Sequence, residues 1–107
     1  SGDDSLTLPM LALGAKGVIS VASHIVGSDI QEMITSFEKG NTKKAENIHL
    51  KLFDLFKKLF VITNPIPVKA ALNMIGVHVG GLRLPLNMAD DKTLDTLKQE
   101  LKKLSIL

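Results

Sequence analysis

The 107-residue sequence has no cysteine, no tryptophan and no tyrosine, and it has only four phenylalanines. The lack of cysteine excludes disulfides, thiolate metal sites and cysteine nucleophiles, and it fits a reducing compartment such as the cytoplasm. So few aromatic rings leave no platform on which nucleic-acid bases could stack. No apolar run approaches the ~20 residues that a membrane-spanning helix needs. We therefore expect no nucleic-acid partner and no membrane partner.

Neither sign of charge dominates the chain. Thirteen Lys and Arg residues face eleven Asp and Glu residues, a net charge of +2, which is too small an excess for a nucleic-acid surface. Five of the lysines lie in residues 41–60, a bias that favours a solvated helix face over an anionic partner. With 45% hydrophobic residues, the chain is long enough for one domain with a modest core.

Residues 17–23 are the stretch most typical of a β-strand. Val18, Ile19 and Val21 are β-branched, and apolar residues point to both faces, which predicts a strand buried on both sides. No second stretch of similar quality exists to pair with it. Each unpaired backbone group costs about 1–3 kcal/mol when buried. The sequence therefore predicts that the partners come from another chain, or that this chain is part of something larger.

The rest of the sequence predicts helices. The main signals are Gly14 and Gly40 as helix ends, the Ser28–Gln31 spacing of a capping box, and a proline pair that starts a later helix. The predicted helices cover residues 5–14, 28–39, about 42–60, 67–75 and 91–104, with Asn41 or Thr42 as the cap of the third and Gly76 as the end of the fourth. Apolar stripes mark the faces expected to be buried, including Ile30 and Met33 in the second helix and Leu97 and Leu101 in the last. Residues 77–89 are predicted to be an irregular link.

No complete catalytic constellation is visible. The three histidines, His24, His49 and His78, are far apart in sequence and lack metal-ligand spacing. His24 follows the predicted strand, the end at which parallel sheets bind ligands. Asp3 and Asp4 fit either a pair of acid–base carboxylates or a helix N-cap, and the cap is the simpler interpretation.

Four stretches carry a resemblance to a known family. They are Ser-Gly-Asp-Asp at residues 1–4, Gly-Val-Ile-Ser-Val at 17–21, Asn-Pro-Ile-Pro-Val-Lys-Ala-Ala-Leu at 64–72 and Gly-Leu-Arg-Leu-Pro-Leu at 81–86. In this order they resemble the C-terminal third of the dihydrodipicolinate synthase (4-hydroxy-tetrahydrodipicolinate synthase) family, pyruvate-dependent lyases of the lysine pathway. The last two stretches favour this family over the sialic acid lyases and sugar-acid aldolases of the same superfamily.

The resemblance implies an α/β fold, a (β/α)8 barrel with an appended three-helix domain, although this chain itself would be mostly α. Residues 1–40 would end the barrel, with the loop after strand seven, helix seven, strand eight and helix eight. Residues 41–107 would form the C-terminal helical domain. Members of the family are homotetramers built as dimers of dimers.

The resemblance also implies a reaction and its site. Pyruvate would condense with aspartate semialdehyde through a lysine Schiff base, with no cofactor and no metal. Ile19 would lie beside pyruvate, Gly2 would supply backbone at the pocket, Asp3 and Asp4 would share its loop, and Asn64 would support a neighbouring loop. His24 stands where many members have asparagine.

This stretch of sequence departs from the family's catalytic pattern. The Schiff-base lysine, the arginine for the second substrate and the relay tyrosines would all lie upstream of Ser1, so the chain holds no catalytic residue and is expected to be inactive alone. Two alternatives stay open: a free-standing helical module that oligomerises by strand exchange, and a related aldolase of the N-acetylneuraminate lyase type.

Overall fold

Five α-helices and one short 3-10 helix make up the structure, a computed structural model that describes residues 1–107. The 3-10 helix is Asp4–Leu6, and the α-helices are α1 (Thr7–Ala12), α2 (Ser23–Glu38), α3 (Thr42–Lys58), α4 (Ile66–Met74) and α5 (Asp91–Lys103). The chain divides into two compact units, Ser1–Phe56 and Lys57–Leu107. The chain is thus mostly α, as expected. The predicted assignment of residues 1–40 and 41–107 to a barrel and an appendage stays a prediction.

The strand predicted over residues 17–23 is wrong for this chain. Residues 15–20 form no regular secondary structure; we call them the extended segment because Gly17 and Ile19 bond to Ser1 in the pattern of a parallel strand. Gly17 and Ile19 pair with the backbone of Ser1: the Ser1 amino group donates to Gly17 O at 2.8 Å, and Ile19 N–H donates to Ser1 O at 2.9 Å. A parallel strand of the predicted kind needs a longer ladder and cover on both faces, whereas here Ile19 is 86% exposed.

Helix α2 begins five residues earlier than the capping box at Ser28 predicted. Residues 24–27, expected to be a loop, belong to the start of α2, and a non-helical Val26 (φ −122°, ψ 35°) separates the first turn from the rest. The predicted stripe holds beyond it, since Ile30 and Met33 are buried. The helix starts earlier because the side chains of Asp4 and Ser20 accept hydrogen bonds from the N–H groups of residues 21–23.

The first unit builds its core from α1, α2 and most of α3. Its buried apolar residues are Leu11, Ala22, Val26, Ile30, Met33, Ala45, Leu52, Leu55 and Phe56. Asn41 Oδ1 accepts from Lys44 N–H at 3.2 Å and so caps α3, one of the two predicted cap positions. Lys44 Nζ lies 2.6 Å from Glu32 Oε1, and this hydrogen bond, together with the charge of Lys44, lowers the pKa of Glu32.

No helix in the chain is long and apolar enough to cross a membrane.

The second unit packs α4 against α5. Helix α4 starts at Ile66, one residue before the predicted start, and Gly76 (φ +89°) follows its last turn. Helix α5 matches its prediction to within one residue, and Leu97 and Leu101 of the predicted stripe are fully buried. The Asp90 carboxylate accepts from Thr93 N–H at 3.0 Å, which caps α5. Hydrogen bonding by the Thr93 side chain, and next by the Thr93 N–H, lowers the pKa of Asp90. Residues 77–90 are irregular, as predicted for the link.

Candidate functional site

The Asp4 carboxylate is the centre of the residues that the sequence singled out. Its residue is only 2% exposed. Oδ2 accepts from the N–H groups of Val21 at 3.1 Å and Ala22 at 2.9 Å, and Oδ1 accepts from the Ser20 hydroxyl. These bonds cross 16–18 residues of sequence. Asp4 therefore links the start of the chain to the start of α2 by hydrogen bonds.

Ser20 extends this hydrogen-bond network. While its hydroxyl donates to Asp4, its Oγ accepts from Ser23 N–H at 2.9 Å, and Ser23 Oγ donates to Ser20 O at 3.1 Å. Backbone N–H groups at a helix start have no intrahelical acceptor, and a carboxylate at this end is stabilised by the helix dipole. Asp4 and Ser20 together supply acceptors to three consecutive N–H groups, those of residues 21–23.

Asp3 has a separate and local role. Its Oδ1 accepts from Ser5 N–H at 2.8 Å and from Ser5 Oγ at 2.7 Å, in the extended conformation of an N-cap. The cap interpretation of the aspartate pair is thus confirmed for Asp3. Asp4 caps the start of α2 instead of the helix that follows it in sequence.

Gly2 and Ile19 are brought close through Ser1. The two backbone bonds of Ser1 to Gly17 and Ile19 follow the pattern of a parallel pair, so Gly2 continues the chain alongside the segment that carries Ile19. Gly2 is exposed, and a Cβ built on it would meet no heavy atom within 4 Å. Because Ile19 is also exposed, this end of the extended segment is accessible to solvent.

Two of the predicted residues lie elsewhere. Asn64 belongs to the second unit, where it is exposed and precedes a cis peptide bond to Pro65. His24 lies in the first turn of α2 with an exposed side chain. No group of three or more His, Cys, Asp or Glu side chains is placed to hold a metal ion. The residues that the structure gathers are therefore Gly2, Asp3, Asp4 and Ile19.

A second polar cluster was missed by the sequence analysis. Lys69 Nζ donates to Gly81 O, Asn73 Nδ2 donates to Gly80 O at 3.1 Å, and Val79 N–H donates to Asn73 Oδ1 at 3.0 Å. Lys69 and Asn73 are four residues apart and so share one face of α4. The four-residue spacing of Lys69 and Asn73, shortly before the Gly80-Gly81 pair, is the sequence feature that could have predicted this cluster. The cluster, which we call the loop clamp (Lys69, Asn73 and residues 79–81), fastens the irregular link to α4.

Solved structures match this fold across the whole chain. DHDPS from Cyanidioschyzon merolae with lysine bound has a TM-score of 0.97 and 49% identity, and the match covers 100% of this chain and 36% of that one. The chloride-inhibited dihydrodipicolinate synthase from Acinetobacter baumannii complexed with pyruvate has a TM-score of 0.94 and 34% identity, covering 100% of this chain and 37% of that one. The fold is therefore that of about one third of these larger enzymes.

Sequence comparisons identify the family. The model of the Dihydrodipicolinate synthetase family matches residues 1–104, and the chain belongs to this family. It is 58% identical over 107 residues to the 4-hydroxy-tetrahydrodipicolinate synthase of Desulforamulus reducens, covering 100% of this chain and 36% of that protein. The chain thus spans about a third of the length of the relatives it matches. The relatives that it matches are named 4-hydroxy-tetrahydrodipicolinate synthase and not N-acetylneuraminate lyase, while the free-standing helical module stays an open alternative.

Proposed function

We propose that the chain is the C-terminal third of a 4-hydroxy-tetrahydrodipicolinate synthase, a lyase of lysine and diaminopimelate biosynthesis. The observation that carries the proposal is the family match over residues 1–104, together with 58% identity to an enzyme of that name. The whole enzyme condenses pyruvate with aspartate semialdehyde through a lysine Schiff base, without a cofactor. The pyruvate in the A. baumannii structure supports pyruvate as the first substrate.

In this proposal residues 1–40 close a (β/α)8 barrel and residues 41–107 form its helical appendage. The extended residues 15–20 are the eighth strand. The two parallel-type hydrogen bonds of Ser1 to Gly17 and Ile19 support this assignment, because neighbouring strands of such a barrel run parallel. The whole enzyme is a cytoplasmic homotetramer.

The proposed pyruvate pocket takes Ile19 and the backbone of Gly2 from this chain. Asp3 and Asp4 belong to its loop, and Asn64 is a supporting residue in the second unit. The juxtaposition of Gly2 and Ile19 at the C-terminal end of the extended segment supports this pocket, since barrel enzymes bind their ligands at that end of the strands. The catalytic lysine, the arginine and the tyrosines are supplied by the rest of the enzyme.

The proposal is tested by comparing the longer protein that contains this chain with the 107 residues alone. We expect the longer protein to condense pyruvate with aspartate semialdehyde and the isolated chain to be inactive. Borohydride reduction in the presence of pyruvate should attach pyruvate covalently to a lysine, and peptide mass spectrometry locates that lysine.

Two results would overturn the proposal. One is turnover by the isolated chain, since it lacks the proposed catalytic groups. The other is a borohydride-trapped lysine within residues 1–107, where the lysines would serve as internal controls in the same digest. Size-exclusion chromatography of the isolated chain adds a check on strand exchange, because a discrete dimer would favour the oligomerising module.

A further inference from the structure

Asp4 is the one buried carboxylate near the proposed pyruvate pocket, and its oxygens are already occupied. It is 2% exposed and accepts three hydrogen bonds, from Ser20 Oγ and from the N–H groups of Val21 and Ala22. A carboxylate in this state has no free face for a substrate. Any effect of Asp4 on the reaction must therefore act through the residues that it holds.

The residues that Asp4 holds flank both proposed pyruvate contacts. Gly2 lies two residues before Asp4, and Ile19 lies immediately before Ser20. The three Asp4 contacts and the two backbone bonds of Ser1 join these two segments. Charge-assisted bonds from a carboxylate to backbone N–H groups are about twice as strong as neutral ones. Asp4 thus supplies three hydrogen bonds to the restraint on the separation of Gly2 and Ile19, beside the two that Ser1 supplies.

We propose that Asp4 is a positioning residue for pyruvate, acting through Ser20, Val21 and Ala22 to hold Ile19 and the Gly2 backbone at the spacing that binds the substrate. The inference rests on the proposed function and extends it by giving Asp4 a role distinct from substrate contact. Displacing a binding group by a fraction of an ångström weakens binding without removing any contact residue. Ser20 has the same role to a smaller degree, because it contributes one of the three bonds.

The test is steady-state kinetics of the longer protein with four substitutions. Asp4→Asn keeps the size of the side chain but removes its negative charge, and its amide nitrogen cannot accept from the Ser20 hydroxyl as Oδ1 does. Ser20→Ala removes only the hydroxyl, and Ser20→Thr restores it. Asp95→Asn is the matched control, an exposed aspartate of α5 with the same change of charge.

We expect Asp4→Asn to raise the KM for pyruvate about tenfold and Ser20→Ala about threefold, with kcat and the KM for aspartate semialdehyde changed less than about twofold. Ser20→Thr should return the KM for pyruvate to near the wild-type value, and Asp95→Asn should leave it unchanged. A side chain that served only to stabilise the fold would lower the melting temperature and the amount of active enzyme while leaving the KM for pyruvate unchanged.

An unchanged KM for pyruvate in Asp4→Asn and Ser20→Ala, with an active wild-type enzyme, would overturn this inference and leave the proposed function standing. A wild-type protein without condensation activity would instead overturn the proposed function, and this inference with it. If Asp4→Asn fails to fold, Ser20→Ala and its rescue by Ser20→Thr decide the result.

Discussion

Lys58 donates a 2.8 Å hydrogen bond from Nζ to Oε2 of Glu100, whose side chain is only 1% exposed. The pair links the end of α3 to α5 within the second unit. The other carboxylate oxygen, Oε1, is buried without a hydrogen-bond partner. Lys58 therefore compensates the buried charge of Glu100, and a third of its own side chain remains in contact with water.

Lys58→Met should destabilise the second unit by about 1–3 kcal/mol, because it leaves the Glu100 carboxylate buried and unpaired. The expected cost is below that of a fully buried pair, since the exposed part of Lys58 is screened by solvent. Hydrogen exchange of the α5 amides in the longer protein measures this local free energy. Lys98→Met, an exposed lysine of α5, should change it by less than about 0.5 kcal/mol. Equal effects of the two substitutions would contradict the prediction.

The first unit should lose stability in mild acid through His49. Its Nδ1 is buried without a partner beside the Phe53 and Phe56 rings, and burial lowers the pKa of His49 below its ordinary value of 6.5. The unfolded chain therefore binds the proton at a higher pH than the folded one. The stabilising contribution is fully present above pH 6.5 and is lost as the pH falls through the lower folded-state pKa.

His49→Leu should flatten this pH dependence, as measured by hydrogen exchange of the α3 amides between about pH 7.5 and about pH 5.5. His78→Leu is the matched control, because His78 is exposed and lies in the second unit. The prediction fails if α3 protection in wild type and in His49→Leu falls by the same amount across this range.

The loop clamp should protect the irregular link from proteolysis. Asn73→Ala removes the bonds to Gly80 O and Val79 N–H, so the exposed Arg83 that follows should be cut by trypsin about threefold faster or more. Cleavage is followed by mass spectrometry of the longer protein. Asn87→Ala, in the same link and exposed, should leave the rate at Arg83 unchanged; a similar acceleration by both would show that the clamp does not restrain the link.

Ile19→Ala should weaken pyruvate binding by the longer protein, with a KM raised about tenfold. Leu13→Ala offers a close control, because Leu13 is 89% exposed in the chain and Ile19 is 86% exposed, and both substitutions remove apolar side chains of equal size. The KM for pyruvate should respond only to Ile19→Ala. Equal responses, or none, would remove Ile19 from the proposed pocket.

Features set by neighbours in sequence were predicted well. Helix α5 has a regular apolar stripe with an aspartate just before it, and its observed ends agree with the prediction to within one residue. Asn41, Gly40 and Gly76 mark helix ends as expected, because capping needs only residues within one turn. The same holds for Asp3, whose acceptor role reaches only two residues along the chain.

Features set by distant residues were not predictable in this way. The β-branched residues of 17–23 carry a strand signal, but a strand is stabilised by its partners, and Ser1 is the one that this chain supplies. The contacts of Asp4 reach 16–18 residues ahead, so no local pattern marks Ser20 or Ala22 as its partners. The placement of Asp4 on the pocket loop stays a prediction, and the hydrogen bonds of its carboxylate are visible only in the structure.

Helix α2 has two possible starting points. One is Ser28, with the capping-box spacing to Gln31 in its own sequence; the other is Ser23, which depends on Asp4 and Ser20. The irregular Val26 lies between them. A peptide of α2 alone would therefore keep the later start and lose the earlier turn. The first turn of α2 thus depends on hydrogen bonds from both Asp4 and Ser20. It can unfold while the part of α2 that follows Val26 stays helical.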